Sequence, residues 1–202
     1  MGQYLTDKEK TFVREKIQEK YVQVARSPAG LFNFPTGKRG ARKLGYPFDG
    51  IRDFPGSVLE SFCGVGNPFS AGPIHQGEAI LDIGCGAGLD AFVAARSTGD
   101  LGRVIGIDVS PEMIAKAQEN LALLGARNVS FEIGEAEALD FEDQTFQVVI
   151  SNGVFILALS KVRALGEAFR VLRPGGRFMV ADMVLVESLP EDRAGKIENW
   201  YQ

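Results

Sequence analysis

The stretch AILDIGCGAGLDAF, residues 79–92, sets an acid, Asp82, two positions ahead of three alternating glycines, Gly84, Gly86 and Gly88, with Cys85 between the first two. Glycine opens backbone conformations closed to other residues and lets a ligand reach the main chain with no side chain in the way. The residues before this turn are apolar and strand-like and those after it are helical, so the glycines fall where a first strand bends into a first helix. Open parallel sheets bind their ligands at that bend, and the N–H groups of the following helix suit an anionic group. A second acid, Asp108, closes the next strand-like run 24 positions after Gly84. From there a carboxylate can accept hydrogen bonds from both hydroxyls of a ribose. A cofactor containing a nucleoside follows.

Spacing and charge separate the candidates. The dinucleotide pattern G-x-G-x-x-G, counted from Gly84, ends on Leu89 and fails; counted from Gly86 it is met loosely by Gly86, Gly88 and Ala91. The phosphate-cradling loop, G-x-x-x-x-G-K followed by Ser or Thr, does not occur. Asp82 would repel a pyrophosphate at short range and attract a cofactor that carries an ammonium and a sulfonium. S-adenosylmethionine is such a cofactor, and its own carboxylate can still use the N–H groups of the glycine turn.

These residues need a frame. Thr6-Asp7-Lys8-Glu9 reads as a capping box, and Val13, Ile17, Tyr21 and Val24 follow at helical spacing, which predicts an amphipathic helix over 7–25. Residues 28–75 are rich in glycine and proline with scattered aromatics, among them Phe32, Phe34, Tyr46, Phe48 and Phe69. They read as turns and short helices forming a lid. After Gly77 strand and helix signals alternate: strands at 79–83, 104–108, 129–133, 146–151 and 177–186, helices at 88–97, 111–124 and 160–172. The last helix carries Val162, Leu165, Phe169 and Leu172 on one face. Such alternation predicts an α/β fold, a Rossmann-like doubly wound parallel sheet.

Composition narrows the partners. A chain of 202 residues with net charge −4 suits one main domain with an appendage and offers no basic footprint for nucleic acid or an anionic membrane. No apolar run reaches the roughly 18 residues a bilayer requires, and the N-terminal residues lack a secretory core, so a cytoplasmic location is expected. Cys63 and Cys85 have no metal-like spacing and read as reduced thiols, with no metal site. His75, the only histidine, reads as a loop residue.

The segments LDIGCGAG, VIGIDVSPEMIAKAQENL, GEAEAL and AFRVLRPGGRFMVAD, in this order over residues 78–184, resemble the signature segments of class I S-adenosylmethionine-dependent methyltransferases. SPAGLFNFPTG, SFCGVGNPF, ISNGV and DMVLVESLP are similar to the branch that contains arsenite methyltransferases and their bacterial relatives. The resemblance implies a lid over 1–75, a cofactor-binding domain over 76–186 and a C-terminal helix over 187–202. It places Asp82, Gly84, Cys85, Gly86 and Gly88 at the methionine portion of the cofactor and Asp108 at the ribose. Val109 and Met113 fall beside the adenine, Glu135 and Ala136 at its polar edge, Asn152 at the reactive sulfur, and Gly66 and Asn67 in the cover. Met113 reads equally as helix core, and Glu135 as a plain loop acid.

The implied activity is methyl transfer to a small-molecule acceptor. Two departures qualify it. Arsenite methyltransferases hold arsenic through cysteine thiols in the cover, after the fourth strand and beyond the fifth; the first two matching positions here are Val65 and Gly153, and the third lies past Gln202. Soft trivalent arsenic needs thiolates. The sequence also ends before the family's last two strands, leaving residues 177–186 as an edge that a second copy or the C-terminal segment would cover. A non-catalytic cofactor-binding module and a nicotinamide-dependent oxidoreductase are the rival readings.

Overall fold

The computed structural model describes residues 5–184. Helix α1 spans Asp7–Arg26 and starts as its capping box dictates: the Glu9 N–H donates to the Thr6 hydroxyl, and the Glu9 carboxylate accepts the Thr6 N–H at 2.7 Å. Three short helices follow, α2 at Gly37–Lys43, α3 at Phe48–Ile51 and α4 at Gly56–Glu60, then a 3-10 turn at Pro68–Ala71. This cover shares the core of the sheet domain. Tyr46, Ile51, Phe54, Val58 and Phe62 are buried in the same cluster as Phe92 and Phe131, and Tyr46 meets the rings of Phe62 and Phe69 edge-on.

Five strands, β1 (Ala79–Ile83), β2 (Arg103–Asp108), β3 (Val129–Ile133), β4 (Phe146–Asn152) and β5 (Leu172–Ala181), pair entirely in parallel in the order β3-β2-β1-β4-β5. Their crossovers carry α5 (Leu89–Thr98), α6 (Pro111–Leu124) and α7 (Lys161–Val171). All five residues of β1 are buried. Each of Ile80, Leu81 and Ile83 therefore contributes on the order of 2 kcal/mol by leaving water. Helix α6 opens with Ser110, whose hydroxyl accepts the Met113 N–H, and closes on left-handed Gly125. The order reverses between β1 and β4, which fixes the carboxyl ends of β1, β2 and β4 as the ligand edge.

Two expectations shift. β5 begins at Leu172, directly after α7, and ends at Ala181; four residues, Arg173–Gly176, stand against Gln147 alone between the Phe146–Leu172 and Val148–Arg177 pairs. Pro174 has no N–H to donate and Gly175 adopts φ +77°, so a regular ladder cannot pass through them. Helix α7 turns its small residues inward: Ala164, Ala168 and Val171 are buried, whereas Val162, Leu165 and Phe169 are exposed. Small side chains let the helix approach the sheet closely. The expected C-terminal helix at 187–202, and the end of the expected strand beyond 184, lie outside the described residues. Among the described residues no helix is long and apolar enough to cross a membrane.

Candidate cofactor site

The glycine turn is tied down from behind. The Gly84 and Cys85 N–H groups both donate to the Ile107 carbonyl, at 2.8 and 2.9 Å, the Gly88 N–H donates to the Cys85 carbonyl, and the Gly86 N–H donates to the Asp108 carboxylate at 3.0 Å. Gly84, Gly86 and Gly88 all have φ in the left-handed region, which explains why the sequence needs glycine there. These four N–H groups are spent within the protein, so the anion nest expected for a cofactor's carboxylate does not form from them.

The turn is flanked by buried carboxylates instead. Asp82 is 1% exposed, and its Oδ2 finds no hydrogen-bond partner among the described residues. Burial, then the charges of Asp90 and Asp108, raise its pKa well above the usual carboxylate value. A buried acceptor left without a donor is costly, and an ammonium would satisfy it. Asp108 accepts the Ser110 N–H at 2.9 Å as well as that of Gly86. Burial raises its pKa, against the opposing hydrogen bonds from Ser110, Gly86 and Val109.

A cavity of about 390 Å³ opens beyond these strand ends, within the range of small-molecule sites. Of the residues singled out from sequence, Gly84, Gly86, Asp108, Val109, Met113, Glu135, Ala136 and Asn152 line it. Val109 is half exposed while Met113 is fully buried, so Met113 is at once helix core and cavity wall. Glu135 is exposed, its carboxylate 3.9 Å from the Arg14 guanidinium of α1. His75 lies in the exposed segment ahead of β1.

The other five sit elsewhere. Asp82 is buried two positions before Gly84, over which the Val154 side chain fills the space a Cβ would need. Cys85 joins the core against α5 and α6, and Gly88 begins α5 where a Cβ would stand 2.8 Å from both Phe92 and Phe131. Asn67 caps the 3-10 turn, accepting the Phe69 N–H at 3.0 Å, and a Cβ on Gly66 would meet Ala181 at 2.6 Å. Cover and strand ends are thus pressed together with no room for a side chain.

Two groups that the sequence did not single out as ligand-edge residues, Asp90 and Tyr46, meet Asn152 here. Asp90, in the first turn of α5, accepts the Tyr46 hydroxyl on Oδ1 and the Asn152 amide on Oδ2 at 3.0 Å. The Asn152 Oδ1 in turn accepts the N–H groups of Val65 and Gly66 at 2.9 and 3.1 Å, and its Nδ2 donates to the Gly66 carbonyl. Asn152 therefore closes β4 with its polar atoms committed to the cover. The lid wall also comes from α1, through Ile17, Lys20 and Tyr21, with Phe32, Phe34 and Cys63 beside them. Lys20 stands 4.6 Å over the Phe32 ring. Burial and the Asp108 charge push the Cys63 thiol up to about 12, so it stays protonated at neutral pH.

The parallel 3-2-1-4-5 sheet, the glycine turn at its switch point and the two strand-end aspartates match a known domain. The Methyltransferase domain family matches residues 74–202, and the chain belongs to it. The chain is 37% identical to an arsenite methyltransferase of Halobacterium salinarum, over 93% of this chain and 51% of that protein. It is 34% identical to a ubiquinone/menaquinone biosynthesis C-methyltransferase of an Enterobacter species, over 54% and 44% of the two. Among solved structures it is similar to an arsenic(III) S-adenosylmethionine methyltransferase from Chlamydomonas reinhardtii, with TM-score 0.65 and 36% identity over 78% of this chain and 52% of that one. The chain spans about half the length of the arsenite methyltransferases it matches.

Proposed function

We propose that this chain binds S-adenosylmethionine in the cavity at the ends of β1, β2 and β4 and directs its methyl group to an apolar small-molecule acceptor. One observation carries the cofactor assignment: the N–H groups of Gly84, Cys85, Gly86 and Gly88 are spent internally, while Asp82 keeps a buried carboxylate oxygen without a donor among the described residues. A turn of that kind disfavours a pyrophosphate and welcomes a cation. Asp108, open to the cavity, would hold ribose hydroxyls, with Val109, Met113 and Ala136 against the base and Asp82 toward the cationic end. The same charge argument disfavours the nicotinamide alternative.

The chemistry such a cofactor supplies is a methyl group already activated by a sulfonium charge. The protein's share is alignment and exclusion of water. The cover does both: Val65 on the cavity wall and Gly66 behind it are fastened to Asn152, and Ile17, Tyr21, Phe32 and Phe34 give the acceptor side an apolar surface. A thiol-held metalloid fits this surface poorly. The two positions that match arsenic-binding cysteines are Val65 and Gly153, near enough that a Cβ on Gly153 would touch the Val65 side chain but without sulfur, and Cys63 is held as a neutral thiol.

Calorimetric titration with S-adenosylhomocysteine and with NAD tests the cofactor; binding of NAD alone overturns the assignment. Transfer of a labelled methyl group to a panel of lipophilic phenols and thiols, with arsenite plus glutathione alongside, tests the acceptor. Arsenite methylated faster than every apolar compound overturns that half, and bound cofactor without any turnover favours a non-catalytic module.

A further inference from the structure

Behind the wall of the cavity, which Asn152 reaches, Tyr46, Asp90 and Asn152 form one hydrogen-bonded cluster from three separate parts of the chain. Tyr46 lies in the cover between α2 and α3 and is buried, Asp90 lies in the first turn of α5, and Asn152 is the last residue of β4. Each Asp90 oxygen is an acceptor: Oδ1 takes the Tyr46 hydroxyl proton, Oδ2 an Asn152 amide proton. With its Nδ2 so directed, Asn152 presents Oδ1 to the paired N–H groups of Val65 and Gly66. An amide free to flip would present two donors to those two donors.

We propose that Asp90 is the positioning residue that keeps the roof of the cofactor cavity closed, acting through Tyr46 and Asn152 on the Val65–Gly66 segment. As a device for the cofactor it rests on the reading given above; as a hold on the cover it stands on the hydrogen bonds alone. The hold is strongest with a carboxylate. A proton on Oδ2 would face the Asn152 amide, which only donates, and a proton on Oδ1 would turn the Tyr46 hydroxyl into an acceptor, leaving its own proton only the Gly66 carbonyl, 3.4 Å away and already held by Asn152.

Burial pushes Asp90 up to about 6, against the lowering hydrogen bonds from Tyr46 and Asn152. The titratable groups around it are Tyr46 from the cover, Cys63 after α4, Asp82 on β1 and Cys85 in the glycine turn; each has its pKa raised in part by the Asp90 charge. Every neighbour is an acid, so nothing in this group offers Asp90 a counter-charge. A cation placed against Asp82 would supply one, favouring the ionised form of Asp90 and with it the closed cover. Cofactor binding and closure would then reinforce each other.

Amide hydrogen exchange of the 202-residue protein without ligand, between pH 5 and 8 and corrected for the intrinsic pH dependence of exchange, reads the hold directly. Protection of the Val65 and Gly66 amides should fall by about tenfold, the worth of one ordinary hydrogen bond, as pH drops through the Asp90 titration. Asp90→Asn sets an amide donor against Asn152 or Tyr46 and should leave these two amides poorly protected at every pH, with β1 and β4 unchanged. Tyr46→Phe removes a bond that favours the carboxylate and should move the midpoint upward.

Wild-type protection retained in Asp90→Asn overturns the proposal, and so does a midpoint that Tyr46→Phe leaves in place. Should Asp90→Asn fail to fold, the Tyr46→Phe midpoint alone decides. Titration with S-adenosylhomocysteine separates the two readings. Exchange as described without binding in the wild type sinks only the cofactor assignment, whereas equal affinity in wild type and Asp90→Asn shows that the roof does not serve the cofactor and overturns that part.

Discussion

Val65 and Gly153 meet across the roof of the cavity: a Cβ on Gly153 would stand 3.9 Å from the Val65 Cβ and 3.3 Å from its nearer methyl carbon. Cover and β4 are thus within reach of a covalent link, since disulfides join Cβ atoms about 3.5–4.5 Å apart. The double variant Val65→Cys with Gly153→Cys should close a disulfide on oxidation. Gly153 has φ +76°, so the cysteine there costs about 1 kcal/mol. Titratable thiols should fall from four to two, Cys63 and Cys85 remaining. Reduced, the variant should retain phenylarsine oxide where the wild type does not. Four thiols after oxidation would mean that the two segments do not meet as described.

Asp108 should matter to the cofactor more than to the fold. Its carboxylate already holds the Gly86 and Ser110 N–H groups, yet it also lines the cavity. Loss of two charge-assisted hydrogen bonds to a ribose would weaken S-adenosylhomocysteine by about 10- to 100-fold. Calorimetry on Asp108→Ala measures it, with Asp108→Asn as the control that keeps one acceptor for the turn. Unaltered affinity in both variants would remove Asp108 from the site.

The part of this site that was legible in the sequence is the part that is local. Asp82, the glycines and Asp108 are read from strand–turn–helix spacing because each sits at the end of an element whose period announces it. Helix α7 shows where that method stops: the stripe Val162, Leu165, Phe169 has perfect helical spacing, but spacing does not say which stripe the sheet takes, and the alanine face won. The hold on the cover was illegible for a different reason. Asp90 lies 44 positions from Tyr46 and 62 from Asn152, and in the sequence it reads only as an acid in the first turn of a helix, where acids are favoured by the dipole. The internal use of the glycine-turn N–H groups depends on the Ile107 carbonyl of the neighbouring strand, which no motif records.

The link between the end of the cover and the middle of β5 should be lopsided. Arg177 meets Glu78 with two hydrogen bonds, 2.9 and 2.7 Å, and donates to the Pro73 carbonyl at 3.0 Å, while its buried Nε has no partner among the described residues. Glu78→Gln leaves a partly buried guanidinium without its counter-charge and should cost about 2 kcal/mol. Arg177→Met removes the orphaned donor along with the charge and leaves Glu78 its hydrogen bond from the His75 N–H at 2.7 Å. It should cost less. Urea unfolding of the two variants compares them, and a greater loss in Arg177→Met would reverse the argument.

The buried acids predict an inverted pH response at neutral pH. Burial raises the pKa values of both Asp82 and Asp90, the latter to about 6. The folded protein therefore takes up these protons at a pH where the unfolded chain, titrating near about 4, does not. A state that binds more protons gains stability as pH falls, so the melting temperature should rise from pH 8 toward pH 5. Two acids paired with arginines, Glu78 and Glu167, act in the opposite sense. Burial pushes Glu78 up, but the hydrogen bonds from Arg177 and the His75 N–H outweigh it, and the hydrogen bond from Arg170 lowers Glu167. Their contribution is present above the ordinary glutamate value and is lost as pH drops below it. A maximum close to pH 5 results. Asp90→Asn should flatten the limb between 5 and 8 and leave the acid limb alone. Calorimetric melts at half-unit intervals check both, and a wild-type melting temperature that climbs steadily from 5 to 8 would contradict the burial of this pair. The same interval should show the cover loosening while the fold tightens, a divergence that general acid destabilisation cannot produce.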